Sequence, residues 1–69
     1  MEKYMEKTIN AQLIEDYIQT NGLSKTAFCR RCHISNETYG KILTEKAVPL
    51  LSIGKIAKAM DMGIGQILL

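Results

Sequence analysis

Residues 29–33, Cys-Arg-Arg-Cys-His, hold both cysteines and the single histidine of the chain. They spell C-x-x-C-H, the pattern through which a c-type haem is attached covalently. Met60 or Met62 could then supply an axial ligand to the iron. The same thiols could instead form a redox pair, or contribute to a zinc site that lacks a clear fourth ligand.

Other features disfavour these chemistries. Covalent haem attachment usually follows export, and the first residues mix charges without the apolar run of a secretory signal. A redox pair calls for a strand-to-helix context, which is missing around Cys29 and Cys32. Free cysteine is among the most buried residue types, so packing is the simpler role for both thiols. His33 falls in a predicted turn, and no nucleophile-base constellation stands out. We therefore predict no cofactor, no metal and no enzymatic activity.

A different chemistry is available between positions 35 and 43. Tyr39, Ile42 and Leu43 would form the buried stripe of a helix there. The opposite face would be small or polar, with Asn36, Glu37, Gly40 and Lys41. An asparagine amide can pair with N6 and N7 of adenine, and a carboxylate can accept from the amino group of cytosine. This face therefore predicts a helix that reads base edges in a major groove.

The remaining elements are predicted to be short helices, because no segment shows strand-like alternation. Apolar spacing predicts a first helix from about Ile9 to Thr20, which Gly22 would end in the left-handed conformation. Ser24 and Ser35 are N-cap candidates for a second and a third helix. Two or three residues separate the second helix from the third, so the two are expected to meet at a steep angle.

The last third of the chain predicts a loop and two more helices. Residues 44–48 form the loop, and Pro49 suits the first turn of a fourth helix because its missing N–H would be unpaired there. A fifth short helix is predicted from about Ile64, with Gly63 as its cap. The expected fold is all-α, and residues 1–8 are expected to be an N-terminal tail before a domain spanning residues 9–69.

Length, composition and charge fit one small domain. The chain has 69 residues, of which 46% are apolar, enough for a compact core. No apolar run approaches the ~18 residues of a membrane span, and a cytoplasmic protein is expected. Residues 24–46 carry five basic side chains against two acidic ones. This middle third is where a polyanion would be met.

Three segments carry a family resemblance: residues 22–28 (Gly-Leu-Ser-Lys-Thr-Ala-Phe), 34–39 (Ile-Ser-Asn-Glu-Thr-Tyr) and 55–60 (Lys-Ile-Ala-Lys-Ala-Met). With them, residues 10–69 resemble, almost without gaps, the phage repressor and Cro-type domains, also called XRE-like or lambda repressor-like. The resemblance implies a compact five-helix lambda repressor-like bundle with a helix-turn-helix at about Lys25–Thr44. It also implies a bacterial or phage transcription regulator that binds double-stranded DNA.

Carried over position by position, the resemblance makes Ser35–Leu43 the recognition helix. Asn36 and Glu37 would read bases, and Lys41 would read a base or grip a phosphate. Lys25 occupies a position that the family commonly fills with Gln, which touches the DNA backbone and braces the recognition helix. Further DNA contacts are expected from Thr26 and Gly40. Thr38, Thr44 and Lys46 would contact phosphates.

The chain departs from the family at several positions. His33 stands at a turn position that is often Gly, and it must then adopt a positive φ. Ile18 and Leu43 stand where the family often pairs Arg with Glu, and packed apolar residues can replace such a pair. Glu37 would face the expected phosphates, and it leaves the recognition helix without net charge.

Two other functions stay open. A helix-turn-helix scaffold can serve as a protein-protein interaction module or anti-regulator, which a neutral recognition helix would suit. The apolar segment Ile64–Leu69 could seat such a partner. In the DNA-binding hypothesis the same segment could form a homodimer that sets two half-sites about one helical turn apart. A c-type haem protein through Cys29, Cys32 and His33 is the remote alternative.

Overall fold

Five helices and two short strands make up residues 6–69, the part of the chain that the computed structural model describes. In chain order they are β1 (Glu6–Lys7), α1 (Ala11–Thr20), α2 (Lys25–Cys32), α3 (Asn36–Leu43), β2 (Val48–Pro49), α4 (Leu50–Ala59) and α5 (Ile64–Ile67). The prediction of a compact, mostly helical fold is confirmed. None of the helices in this range is long and apolar enough to cross a membrane.

The prediction that the fold is all-α is wrong in one respect, because the structure also contains a small antiparallel sheet. Glu6 of β1 pairs with Pro49 of β2, and Lys7 pairs with Val48. Pro49 therefore ends a strand and occupies the N-cap of α4 in extended backbone, instead of lying inside the first helical turn. Strands of two residues are too short to show alternation, which explains why the sequence did not predict them. Of the predicted tail, residues 1–5 lie outside the described residues.

A second pairing joins the N-terminal segment to the end of α5. Ile9 and Leu68 form an antiparallel bridge. The Asn10 amide donates to the Ile67 carbonyl at 2.8 Å, and the Leu69 amide donates to the Thr8 carbonyl at 2.9 Å. Because Ile9 takes part in this bridge, α1 begins two positions later than predicted, at Ala11.

Side-chain caps begin the first three helices. The side chains of Asn10, Ser24 and Ser35 each accept a hydrogen bond from a backbone amide of the first helical turn. Such a cap stabilises a helix by about 1 kcal/mol because it satisfies an otherwise unpaired amide. Both predicted serine caps are confirmed, and Gly63 precedes α5 as predicted.

The four longer helices end in one shared backbone motif. The residue that follows the last turn has a positive φ, and the next amide donates to the carbonyl five residues earlier, as in the Schellman motif. The left-handed residues are Gly22, His33, Glu45 and Asp61, with φ of 62°, 58°, 57° and 57°. His33 therefore adopts the positive φ that its place in the turn predicts.

A single apolar core fills the space between the helices. Its centre is the fully buried Phe28 of α2, whose ring lies 5.9 Å from the ring of Tyr17 and 5.9 Å from the ring of Tyr39, both in edge-to-face geometry. Such pairs contribute about 0.5–1.5 kcal/mol each beyond the area they bury. This aromatic row joins α1, α2 and α3, and it fixes the position of α3 on the domain.

Candidate nucleic-acid interface

The corner between α2 and α3 is packed around the two cysteines. Cys29 is 5% exposed and Cys32 is fully buried, and both are free thiols. The Cys29 sulfur lies 4.0 Å from the carbonyl oxygen of Ser35, the N-cap residue of α3. A small side chain at this position lets the two helices approach closely, as the sequence predicts.

Burial also makes both thiols poor ligands. It raises the pKa of Cys32 to about 11, with a smaller rise from Cys29 that Arg31 partly opposes. Burial raises the pKa of Cys29 as well, against the opposing charge of Lys25. Because the thiolate is the form that reacts and binds metals, these side chains suit packing. In residues 6–69, no three His, Cys, Asp or Glu side chains are grouped to hold a metal.

The haem alternative meets the same obstacle. Thioether attachment needs two accessible sulfurs, whereas Cys29 and Cys32 face the core and only His33 of these three residues is exposed. The three residues therefore serve different parts of the fold. The thiols fill the corner, and the His33 backbone ends α2.

Both ends of α2 are tied to neighbouring aromatic residues. At its start, the Lys25 ammonium lies 5.8 Å from the centroid of the Tyr39 ring on α3. At its end, an Arg31 guanidinium nitrogen donates to the Tyr17 hydroxyl at 3.0 Å, and that hydroxyl donates to the Ala59 carbonyl at 3.2 Å. The sequence predicts bracing by Lys25 from the family resemblance, but the bond between Arg31 and Tyr17 has no sequence signal.

The outer face of α3 is exposed as predicted. It consists of Asn36, Glu37, Gly40 and Lys41, while Tyr39 and Ile42 of the same helix are buried. A Cβ added to Gly40 would meet nothing within 4 Å, so packing within the domain does not require a glycine there. Glycine inside a helix costs about 1 kcal/mol relative to alanine. Gly40 leaves a shallow space on this face that the fold itself does not use.

The other residues predicted to contact DNA differ in their exposure. Lys25, Thr26 and Lys46 are exposed, and Thr38 is half-buried. The Thr38 amide donates to Ser35 Oγ at 3.1 Å, and the two hydroxyl oxygens also lie 3.1 Å apart. A hydrogen bond between the hydroxyls in which Ser35 donates leaves the Thr38 proton free for a phosphate.

Thr44 differs because its hydroxyl is already used. Its Oγ1 donates to the Gly40 carbonyl at 2.9 Å and approaches the Lys41 carbonyl at 3.2 Å. A hydroxyl has one proton, and a phosphate oxygen accepts only. In this structure the Thr44 hydroxyl therefore caps the C-terminal end of α3, and its proton is not free for a phosphate. The amide of Lys46 donates to the Lys41 carbonyl at 2.8 Å, which ties the Lys46 backbone to the end of α3.

Comparison with known proteins adds no assignment. No family model, no curated protein and no solved structure matches the chain. The resemblance to phage repressor and Cro-type domains thus stays a prediction that rests on the residues quoted for it.

Proposed function

We propose that the chain is a sequence-specific DNA-binding regulator of transcription, of the repressor or Cro type, that places α3 in the major groove. The observation that carries the proposal is the exposed face of α3, where Gly40 lies open among Asn36, Glu37 and Lys41. Packing within the domain does not require a glycine at position 40, whereas close approach to a base pair would. The protein acts in the cytoplasm without catalysis.

The dimensions of α3 suit this role. An α-helix with its side chains is about 10–12 Å in diameter, which the ~12 Å wide major groove admits, and α3 has eight residues. Asn36 and Glu37 occupy the first turn, the part of a recognition helix that usually meets base edges. Lys25 at the start of α2 and Lys46 after α3 supply positive charge on either side for phosphates.

Glu37 sets the expected specificity. Its carboxylate accepts hydrogen bonds only, and the donor that a base pair offers it in the major groove is the cytosine or adenine amino group. The negative charge lowers affinity for all sequences, because it opposes the phosphates. We therefore expect moderate affinity with a marked preference at the position that Glu37 reads.

A fluorescence titration over a salt series tests the proposal. Random and selected duplexes are titrated from about 50 to 200 mM salt, where affinity falls linearly on a log-log plot. Asn36→Ala should cost ~1–3 kcal/mol at one base position, and Lys41→Ala should weaken binding to all sequences or change the preferred base. Lys7→Ala removes an exposed charge on β1 and serves as the control. Absence of binding at about 50 mM salt would rule the proposal out.

The same face favours a second candidate, a protein-interaction module. Glu37 and Lys41 balance each other on α3, and a neutral polar surface with an open centre suits a protein partner. Loss of DNA binding in the titration, with a partner protein captured by the wild type but not by a Gly40→Arg variant, would support this candidate.

We also infer a homodimer through the C-terminal segment. Within it Ile67 belongs to the core, while Ile64 and Leu69 are 40% and 71% exposed and Leu51 of α4 is 76% exposed. A two-fold axis would cover these side chains on both copies and pair two α3 helices with two half-sites. Light scattering after size exclusion should give the dimer mass for the wild type and the monomer mass for Leu51→Lys. A monomer for both would refute the dimer.

A further inference from the structure

A basic cleft lies between the end of α2 and the second half of α4. Its volume is about 420 Å³, and it is lined by Arg31, His33, Lys55, Lys58 and Ala59. Four of these side chains carry nitrogen donors that hold or can acquire positive charge, and none is acidic. Sites for small molecules commonly enclose ~300–1,000 Å³. The cleft has the volume for a compact ligand and the charge for an anion.

Arg31 is held in position on the cleft wall. One guanidinium nitrogen donates to the Tyr17 hydroxyl at 3.0 Å, and Tyr17 in turn donates to the Ala59 carbonyl at 3.2 Å. The Tyr17 ring also packs edge-to-face on the buried Phe28. A guanidinium has five N–H donors, so most remain for a ligand. An arginine that is already oriented loses less freedom when it binds.

His33 contributes an exposed ring to the cleft from the end of α2. Its backbone has a φ of 58° and ends α2, a position where glycine avoids the steric cost of a Cβ. The fold alone would therefore favour glycine. The imidazole is exposed and lines the cleft instead. Glu45 and Asp61 adopt the same φ at the ends of α3 and α4, so what distinguishes His33 is that its ring lines the cleft.

Lys55 and Lys58 complete the cleft from α4. They stand three positions apart, on one face of the helix. Neighbouring like charges destabilise a helix slightly unless an anion lies between them. Ala59 is the one lining residue without a side-chain nitrogen donor.

We propose that this cleft binds a compact polyanion with adjacent phosphate groups, of the size of pyrophosphate. Arg31 offers a planar pair of donors to one phosphate, while Lys55 and Lys58 neutralise the other and His33 donates from the end of α2. No cleft residue belongs to α3 or to the first turn of α2, so this site goes beyond the proposed function and does not depend on it.

An NMR titration of the full chain with inorganic pyrophosphate tests the site. Because the chain has a single histidine, the His33 ring resonances report on the cleft without ambiguity. We expect saturable shifts of the His33 ring and of the amides of Arg31, Lys55 and Lys58. Shifts spread evenly over all basic residues would overturn the proposal, because they indicate non-specific screening.

Matched variants separate the site from net charge. The double variant Lys55→Gln/Lys58→Gln should weaken pyrophosphate binding by about tenfold, since each exposed ion pair contributes modestly. Lys7→Gln/Arg30→Gln removes the same charge from exposed positions outside the cleft and should change affinity by less than about twofold. Equal weakening in both double variants would overturn the proposal. Far-UV circular dichroism checks that both fold.

A competition arm distinguishes a free polyanion from a DNA phosphate. With a saturating duplex present, the pyrophosphate-dependent shift of the His33 ring should persist, because no residue of α3 lines the cleft. Displacement of pyrophosphate by the duplex would assign the cleft to the DNA backbone and contradict a separate site. If the chain binds no DNA, the pyrophosphate titration alone decides, so failure of one proposal leaves the other testable.

Discussion

The ammonium of Lys25, the first residue of α2, lies 5.8 Å from the centroid of the Tyr39 ring in the middle of α3. Tyr39 is 7% exposed, so the cation covers the outer side of a ring whose other side faces the core. This contact links the two helices of the corner. It helps to fix the orientation of α3 on α2.

We expect Lys25→Ala to destabilise the fold by about 0.5–1 kcal/mol, the typical contribution of an exposed cation over an aromatic ring. Lys25→Arg preserves the cation and should retain most of the stability. Urea unfolding of the three proteins measures the difference. If Lys25→Ala and Lys25→Arg lose the same stability, the ring contact contributes nothing.

Gly40→Ala should move stability and binding in opposite directions. The added Cβ meets nothing within 4 Å, and alanine is favoured over glycine inside a helix by about 1 kcal/mol. Thermal unfolding should therefore occur at a higher temperature. The same methyl group would fill the space that we propose for a base pair, so DNA affinity should fall. A variant that gains stability and keeps full affinity would show that the face of α3 does not lie close to DNA.

Glycine at the left-handed helix ends should be stabilising. Glu45→Gly removes a Cβ from a residue with a φ of 57° and should gain about 1 kcal/mol. Asp61→Gly, at the same φ, should gain less, because aspartate tolerates this conformation better than glutamate. Gly22→Ala provides the reverse control at a φ of 62° and should lose about 1 kcal/mol. Urea unfolding of the single variants would contradict this account if Glu45→Gly were less stable than the wild type.

Stability should fall in alkaline solution through the buried thiols. Burial raises the pKa of Cys32 from 9.0 to about 11, so the unfolded chain loses this proton first as pH rises. A group with a raised pKa contributes stability below its unfolded pKa, and the contribution is lost above it. Between pH 7 and pH 10 the loss is about 1 kcal/mol for Cys32. Comparing unfolding at the two pH values should show a smaller loss for Cys32→Val than for the wild type.

Local signals in the sequence predicted much of the corner. Ser24 and Ser35 are caps that act within one helical turn, and the exposure of Asn36 and Lys41 follows from the helical repeat. Glu45 and Asp61 were missed as left-handed residues because the usual signal for such an end is glycine. The same motif forms at Glu45 and Asp61 without glycine because both side chains are exposed, so the only cost is the local strain of a positive φ.

Long-range packing explains what the sequence did not predict. The two-residue strands β1 and β2 have no periodicity to detect, and they pair only when the chain has folded back. The cleft also depends on distant residues, since Arg31 meets Ala59 and Lys58 only through the packing of α2 on α4. For Arg31, the distinguishing contact is the Tyr17 hydroxyl, and neither residue type nor spacing indicates that partner.

Ile9 and Leu68 pair although they lie near opposite ends of residues 6–69. Contacts between positions so far apart close a long loop, which costs entropy before the pairing repays it. The corner between α2 and α3 closes only a few residues, so folding is expected to begin there. We therefore expect the pairing of the N-terminal segment with the end of α5 to form last and to open first. In native-state hydrogen exchange, the amides of Asn10 and Leu69 should therefore exchange earlier than the amide of Phe28.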